Sequence, residues 1–247
     1  MLLVSAFISA CSDKPNTTND HGTLTVSVAP EFSEILRKLS DDFSVRYSVK
    51  VNLDIVESGS LWLHEANSDF LIGVEREKAL RAAGVANSGW RTALWISEDV
   101  VLAVRKNETF SIRKARDLQQ PIINPVAIPA QREEVGRRAV ELFDYWKIRS
   151  IMQPRIRIAR NSAAAVKMLI SGEARAAVLP AHIVAGEPAL KQVFSFSALA
   201  HQRLRKAAMR CSRAGKNSAA DEFERVLVTE GVAALMKSGY KAADSDF

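Results

Sequence analysis

Residues 24–43, LTVSVAPEFSEILRKLSDDF, decide how the chain is read. Leu24 to Ala29 alternates along a β-branched stretch, as a strand does, and from Phe32 the apolar residues Ile35, Leu36, Leu39 and Phe43 recur at helical spacing. This is a strand–loop–helix unit. Val49 to Val56 (VKVNLDIV) alternates again, Ser58 stands where it can cap a following helix, and Asp69 to Gly73 (DFLIG) has the composition of a buried strand. Consecutive β-α-β-α-β elements need crossover connections, so the sheet they form is expected to be parallel.

Glu75 to Gly84 is a short helix stopped by glycine, and Val100 to Val104 (VVLAV) is a further apolar strand. From about Lys106 the pattern restarts. A strand is expected around Val126 to Ile128, a long helix from Glu134 to Trp146, a strand at Arg155 to Ile158, a helix beginning near Ser162 and a small-residue strand at Ala176 to Leu179. Val193 to Phe196 could carry the chain back, and Asp221 to Met236 has helical periodicity. The expected organisation is α/β with two lobes: 23–104 plus 197–247 as the first, and 105–196 inserted as the second.

With 247 residues, 47% hydrophobic and 25% charged, the chain has enough apolar content for one large or two modest cores. No apolar run approaches the ~18 residues that cross a bilayer as a helix. Two cysteines cannot build a disulfide framework, and His21, His64, His182 and His201 stand too far apart for a metal-spacing motif, so neither metal nor cofactor is expected. The net charge of +6 arises mostly in the second half, from Arg132, Arg137, Arg138, Arg149, Arg155, Arg157, Arg160 and the run Arg203 to Lys216. These residues are not interleaved with aromatics and no reading-helix motif accompanies them, so nucleic acid is not an expected partner.

Leu2 to Ala10, LLVSAFISA, is an uncharged apolar stretch ending in small residues, the character of a signal-peptide core spanning 1–10. Ile8, Ser9, Ala10 and Cys11 resemble the bacterial lipobox, in which the cysteine thiol receives the lipid. Ser12 to Gly22 (SDKPNTTNDHG) has almost nothing to bury, so residues 11–22 are expected to be a lipidated cysteine and its flexible tether. No Lys or Arg precedes the apolar stretch, a departure that an upstream start would account for. The other reading is an apolar N-terminal strand with an incidental cysteine. If Cys11 carries lipid, Cys211 has no intrachain partner and is expected as a buried or free thiol.

In order along the chain, LTVSVAPEFSEILRKLSDDF, ESGSLWLHE (57–65), NSDFLIG (67–73), VVLAVRK (100–106) and GEARAAVLP (172–180) resemble the periplasmic molybdate-binding protein of ABC uptake systems. The resemblance implies the type II periplasmic binding protein fold, two lobes of mostly parallel sheet flanked by helices that close on a ligand. It also implies a monomeric extracytoplasmic receptor, here a lipid-anchored one in the periplasm, that hands molybdate, tungstate or another small oxyanion to an ABC permease. Ser58, with Gly59 beside it, aligns with a ligand serine of that family, and Val135 and Ser162 align with positions that donate from the backbone.

A tetrahedral oxyanion has no donors, so a receptor must supply them from hydroxyls and from the N–H groups at helix starts, where the positive dipole end lies. Two positions depart from this pattern. Where the family carries a ligand serine after its first strand, this chain has Glu31, and where it carries a tyrosine hydroxyl the chain has Pro180, which donates nothing. A carboxylate ~4 Å from a dianion costs on the order of several kcal/mol at an effective dielectric near 20. Glu31 then either meets a donor-rich or cationic group of the ligand or fills the anion position itself; its plainer reading is a solvent-facing acid near a helix start. Ser58 and Ser162 likewise have a second reading, as helix caps.

An enzyme is not expected. Ser58-Gly59-Ser60 lacks the preceding glycine of a nucleophile elbow, and no phosphate-cradling glycine loop, paired-carboxylate motif or metal-spaced histidine motif occurs. A ligand-sensing domain of a transcription regulator would need a DNA-reading helix that is not there. The remaining rival is a relative that has ceased to transport and acts as a sensor or envelope binding module.

Overall fold

The computed structural model describes residues 22–85, 88–197, 199–201, 204–211 and 218–243. The expected signal peptide (1–10), Cys11 and the tether up to residue 21 lie outside the described residues. Packing divides the described residues into two units, one of those within 22–96, 205–236 and 241–243 and one of those within 97–204 and 237–240. The expected divisions at 104/105 and 196/197 fall instead at 96/97 and 204/205.

The first unit is built on a six-stranded sheet ordered β11-β4-β10-β3-β1-β2, from β1 (Leu24–Val28), β2 (Val51–Ile55), β3 (Phe70–Glu75), β4 (Trp90–Glu98), β10 (Leu204–Cys211) and β11 (Tyr240–Ala243). β1 lies between β2 and β3 and runs parallel to both, whereas β10 runs antiparallel to β3. Leu24, Val26, Val28 and Ser27 are all buried, because a central parallel strand is covered on both faces and not merely on one. Helix α1 (Ser33–Tyr47) turns Leu36, Leu39 and Phe43 inward and stops at Ser48, whose φ of 55° is left-handed. Phe43 and Phe70 each meet the ring of Phe223 at 5.1 Å, which ties α1, β3 and the helix α7 (Ser218–Val226) into one core. α7 continues through a π-helical turn, Leu227–Gly231, into α8 (Val232–Lys237). Between β3 and β4 runs α2 (Arg76–Gly84), as the periodicity indicates.

The second unit holds a five-stranded sheet ordered β7-β6-β8-β5-β9, from β5 (Val100–Arg105), β6 (Val126–Pro129), β7 (Ile156–Ala159), β8 (Ala176–Pro180) and β9 (Leu190–Ser195). β6 lies between β7 and β8, parallel to both, and β5 runs antiparallel to β8 and β9. The strands are joined by α3 (Glu134–Tyr145), α4 (Arg149–Met152), α5 (Ser162–Ser171) and α6 (Ala181–Gly186). One face of the sheet packs Val126, Ile128 and Val178 against Ala139, Leu142 and Phe143 of α3, and the other packs Ala127, Ala177 and Leu179 against Ala165 and Leu169 of α5.

Two expectations change. Val100–Arg105 belongs to the second sheet rather than the first. The stretch around Val193 to Phe196 is largely β9, an edge strand of that sheet, and the return to the first unit is made by β10. The run Arg203 to Lys216, singled out in the sequence for its positive charge, overlaps this strand. Its Arg210 is only 6% exposed and is ion-paired with Asp221 and Glu224, each at 2.6 Å. Cys211 is buried, as expected of it.

Candidate functional site

In the first unit the loop after β1 is held from two sides. The Ala29 N–H donates to the Ile72 carbonyl at 2.8 Å and the Val56 N–H to Val28 at 2.9 Å. Pro30 opens a short 3-10 turn, Pro30–Phe32, that leads into α1, and the Ser33 hydroxyl closes back on the Pro30 carbonyl at 2.7 Å. This fixes Glu31. Gly73 permits the arrangement: its φ is +101°, and a Cβ there would lie 2.5 Å from the Cβ of Ala29 and 3.1 Å from the Phe32 ring.

Ser58 follows β2 and begins a ten-residue 3-10 helix, Ser58–Asn67, rather than capping an α-helix; the cap position is Glu57, with no capping side-chain bond. The Ser58 hydroxyl instead lies 3.2 Å from each carboxylate oxygen of Glu31, to which it donates. Gly59 is exposed, and its carbonyl accepts from the Lys78 ammonium at 3.3 Å. Glu31, Ser58 and Gly59 therefore lie together on one side of the first unit's sheet, at the ends of β1 and β2.

The second unit repeats the arrangement with different residues. The Ala130 N–H donates to Ala159 at 2.8 Å and the Glu133 N–H to Ala130 at 2.9 Å, so the loop after β6 is pinned to the end of β7. Glu133 is the cap residue of α3, and Gly136 lets this helix start press against the loop, since a Cβ there would meet the Pro129 and Ala130 carbonyl oxygens at 2.4 Å. Val135 is buried in the core, so its side chain is spent on packing. Its N–H is one of the first four of α3, which have no intrahelical acceptor.

Ser162 is the first residue of α5 and not its cap. That part is taken by Asn161, whose side-chain oxygen accepts from the Ala164 N–H at 2.8 Å. The Ser162 N–H and hydroxyl both donate to one carboxylate oxygen of Glu133, at 3.0 and 2.6 Å. Ser162 and Val135 thus lie with Glu133 just beyond the ends of β6 and β7, and Glu133 is a residue the sequence reading did not single out. The available signal was Glu133 itself, an acid ahead of the α3 periodicity, in the place Glu31 holds ahead of α1. Pro180 ends β8, buried and paired opposite Val100.

Away from these loops, the His64 ring lies 2.9 Å from Asp54, and the His182 ring meets Glu98 and stacks on Tyr240 at 4.9 Å. Trp62 packs on Trp90 at 5.8 Å. These are structural contacts within their own units. Among the described residues no three of His, Cys, Asp and Glu are grouped as metal ligands, and no helix is long and apolar enough to cross a membrane.

Solved structures with the same architecture include a chain from Clostridium difficile assigned as the substrate binding domain of a molybdenum ABC transporter. It is 18% identical over 90% of this chain and 100% of its own, with a TM-score of 0.79. The periplasmic molybdate-binding protein of Azotobacter vinelandii is 16% identical over 90% of this chain and 100% of its own, at 0.63. The ferric binding protein from Campylobacter jejuni is 13% identical over 87% and 84%, at 0.59. At such identities the likeness is one of fold: an α/β periplasmic binding protein of type II, with a mixed sheet and its helices in each unit. Comparison with curated proteins by sequence gives no match. The model of the family described as Bacterial extracellular solute-binding protein matches residues 24–241, and the chain belongs to that family.

Proposed function

We propose that the chain is the lipid-anchored receptor of an ABC uptake system, tethered in the periplasm through Cys11, whose specificity has moved away from molybdate. Glu31, Ser58, Gly59, Val135 and Ser162 are its ligand-facing positions. The observation that carries the change of specificity is the Ser58 hydroxyl, which donates to Glu31 and not outward. A hydroxyl has one proton to donate. A dianion arriving at Ser58 would have to displace the carboxylate or face it, at a cost on the order of several kcal/mol. Glu31 suits a solute that brings a donor or a positive charge to this place.

The fold does not oppose such a shift, since its solved representatives include receptors named for molybdate and for ferric iron. Transport rather than sensing is the reading the family favours. As in other receptors, the solute acts through its differential affinity for the conformations the chain can adopt.

Isothermal titration with molybdate, tungstate and sulfate tests the specificity: none is expected to bind in the sub-micromolar range, and sub-micromolar molybdate binding overturns the reading. Incorporation of labelled palmitate in cells, lost in Cys11→Ala, tests the anchor.

A further inference from the structure

The two units place a glutamate–serine pair at equivalent points of the same topology. In each, a first strand (β1 or β6) lies between its two successors and parallel to both. Glu31 stands three residues after β1 and Glu133 four after β6, while Ser58 and Ser162 each stand three residues after the second strand, β2 or β7. In both units the serine hydroxyl donates to the glutamate of its own unit. No sequence repeat underlies this; one pair reads as a local contact, but its recurrence at equivalent positions asks for a common cause.

The second pair is the tighter of the two. Ser162 is only 8% exposed and gives two donors to the same oxygen, Oε2 of Glu133, so the carboxylate sits where an incoming oxyanion would find this serine's N–H and hydroxyl. Glu133 also has no basic partner among the described residues. That is unexpected, because its unit carries eighteen Lys and Arg against ten Asp and Glu. The neighbouring guanidiniums are engaged elsewhere: Arg132 donates to the Arg160 carbonyl and Arg137 to those of Gln131 and Arg132. A carboxylate kept only as a salt-bridge partner would be expected to have one.

We infer that Glu133 is a specificity-determining residue, an internal carboxylate that occupies the donors of Ser162 and closes the second unit to oxyanions, as Glu31 does in the first. The inference rests on the changed specificity proposed above and extends it to a residue of the other unit.

The test compares the full chain carrying Glu31→Ser with the full chain carrying Glu31→Ser and Glu133→Ala, by titration with molybdate and with sulfate. Glu31→Ser/Glu133→Ser serves as a second variant, because serine is a preferred cap residue and keeps the start of α3 intact. Emptying the Ser162 donors should tighten binding of one of the anions at least about ten-fold over Glu31→Ser alone, the worth of a single well-made bond. Equal affinities in the single and double variants, with an unchanged thermal melt, overturn the inference. So does the absence of binding in both double variants up to about 10 mM anion. Sub-micromolar molybdate binding by the unmodified chain defeats the changed specificity separately, since the role of Glu133 is read from the ratio between variants.

Discussion

Ser162 and Glu133, twenty-nine residues apart, are joined by two hydrogen bonds that converge on a single carboxylate oxygen. Both groups come from helix starts, and the pair braces α5 against the loop that leads into α3. Ser162→Ala removes the 2.6 Å bond and leaves the N–H contact in place. A hydrogen bond to a charged acceptor contributes about 1.5–3 kcal/mol, and because Glu133 is partly exposed the lower end applies. Urea denaturation of Ser162→Ala should therefore show a loss of about 1–2 kcal/mol. A loss within error of zero would mean that solvent replaces the bond.

Asn161→Ala should weaken the same helix by a different route. It removes the side-chain oxygen that accepts from the Ala164 N–H at 2.8 Å in the first turn of α5, and such caps contribute about 0.5–2 kcal/mol. Asn161→Asp retains the acceptor and adds a charge that the helix dipole favours, so it should match or exceed the unmodified chain. Thermal melts followed by circular dichroism separate the two. An Asn161→Asp variant as unstable as Asn161→Ala would contradict the capping role.

Much of the fold was legible because it is written in local periodicity. β1, α1, β2, β3 and α2 of the first unit, and β6, α3, β7, α5 and β8 of the second, follow stretches whose apolar spacing matches their geometry. The elements that escaped are those whose pattern is overwritten. β10 (LRKAAMRC) carries Arg205, Lys206 and Arg210, which suggest surface until Asp221 and Glu224, on the next helix, α7, are seen to neutralise Arg210. Trp90–Glu98 alternates too loosely to declare itself, since a strand in the interior of a mixed sheet takes its burial from neighbours far away in the chain. At the site, Glu31 and Ser58 could be singled out one by one, but their hydrogen bond could not, and Glu133 and Asn161 were hidden by the two residues beside them, Glu134 and Ser162.

Gly73→Ala tests how far the Glu31 loop depends on backbone geometry. The substitution forces an L side chain into a φ of +101° and brings its Cβ to 2.5 Å from that of Ala29, a separation no relaxed structure shows. Strain of this kind and the clash together should cost about 2–4 kcal/mol. The clash pushes against Ala29 and Phe32, so the Glu31–Ser58 bond should be disturbed with it. A melting temperature equal to that of the unmodified chain would show that the β1–α1 loop shifts freely.

Acid should act on the first unit through the carboxylates of α7. Hydrogen bonds from Arg225 and then Tyr47 pull Glu222 down from an ordinary 4.5 to about 2. Burial pushes Glu224 up, but bonds from Arg91 and Arg210, at 2.5 and 2.6 Å to their nearest oxygens, outweigh it and leave its value lowered. A carboxyl whose value is lower folded than unfolded binds fewer protons when folded. Its stabilisation is present in full above the unfolded value and is lost as pH falls through the folded one. The urea midpoint should accordingly be flat above about pH 5 and decline from roughly 4.5 towards 2. Glu224→Gln should lower the midpoint at neutral pH and shallow that decline, because the buried Arg210 keeps only Asp221 as a partner and one of the titrating groups is gone. An acid limb as steep in Glu224→Gln as in the unmodified chain would place the acid sensitivity elsewhere.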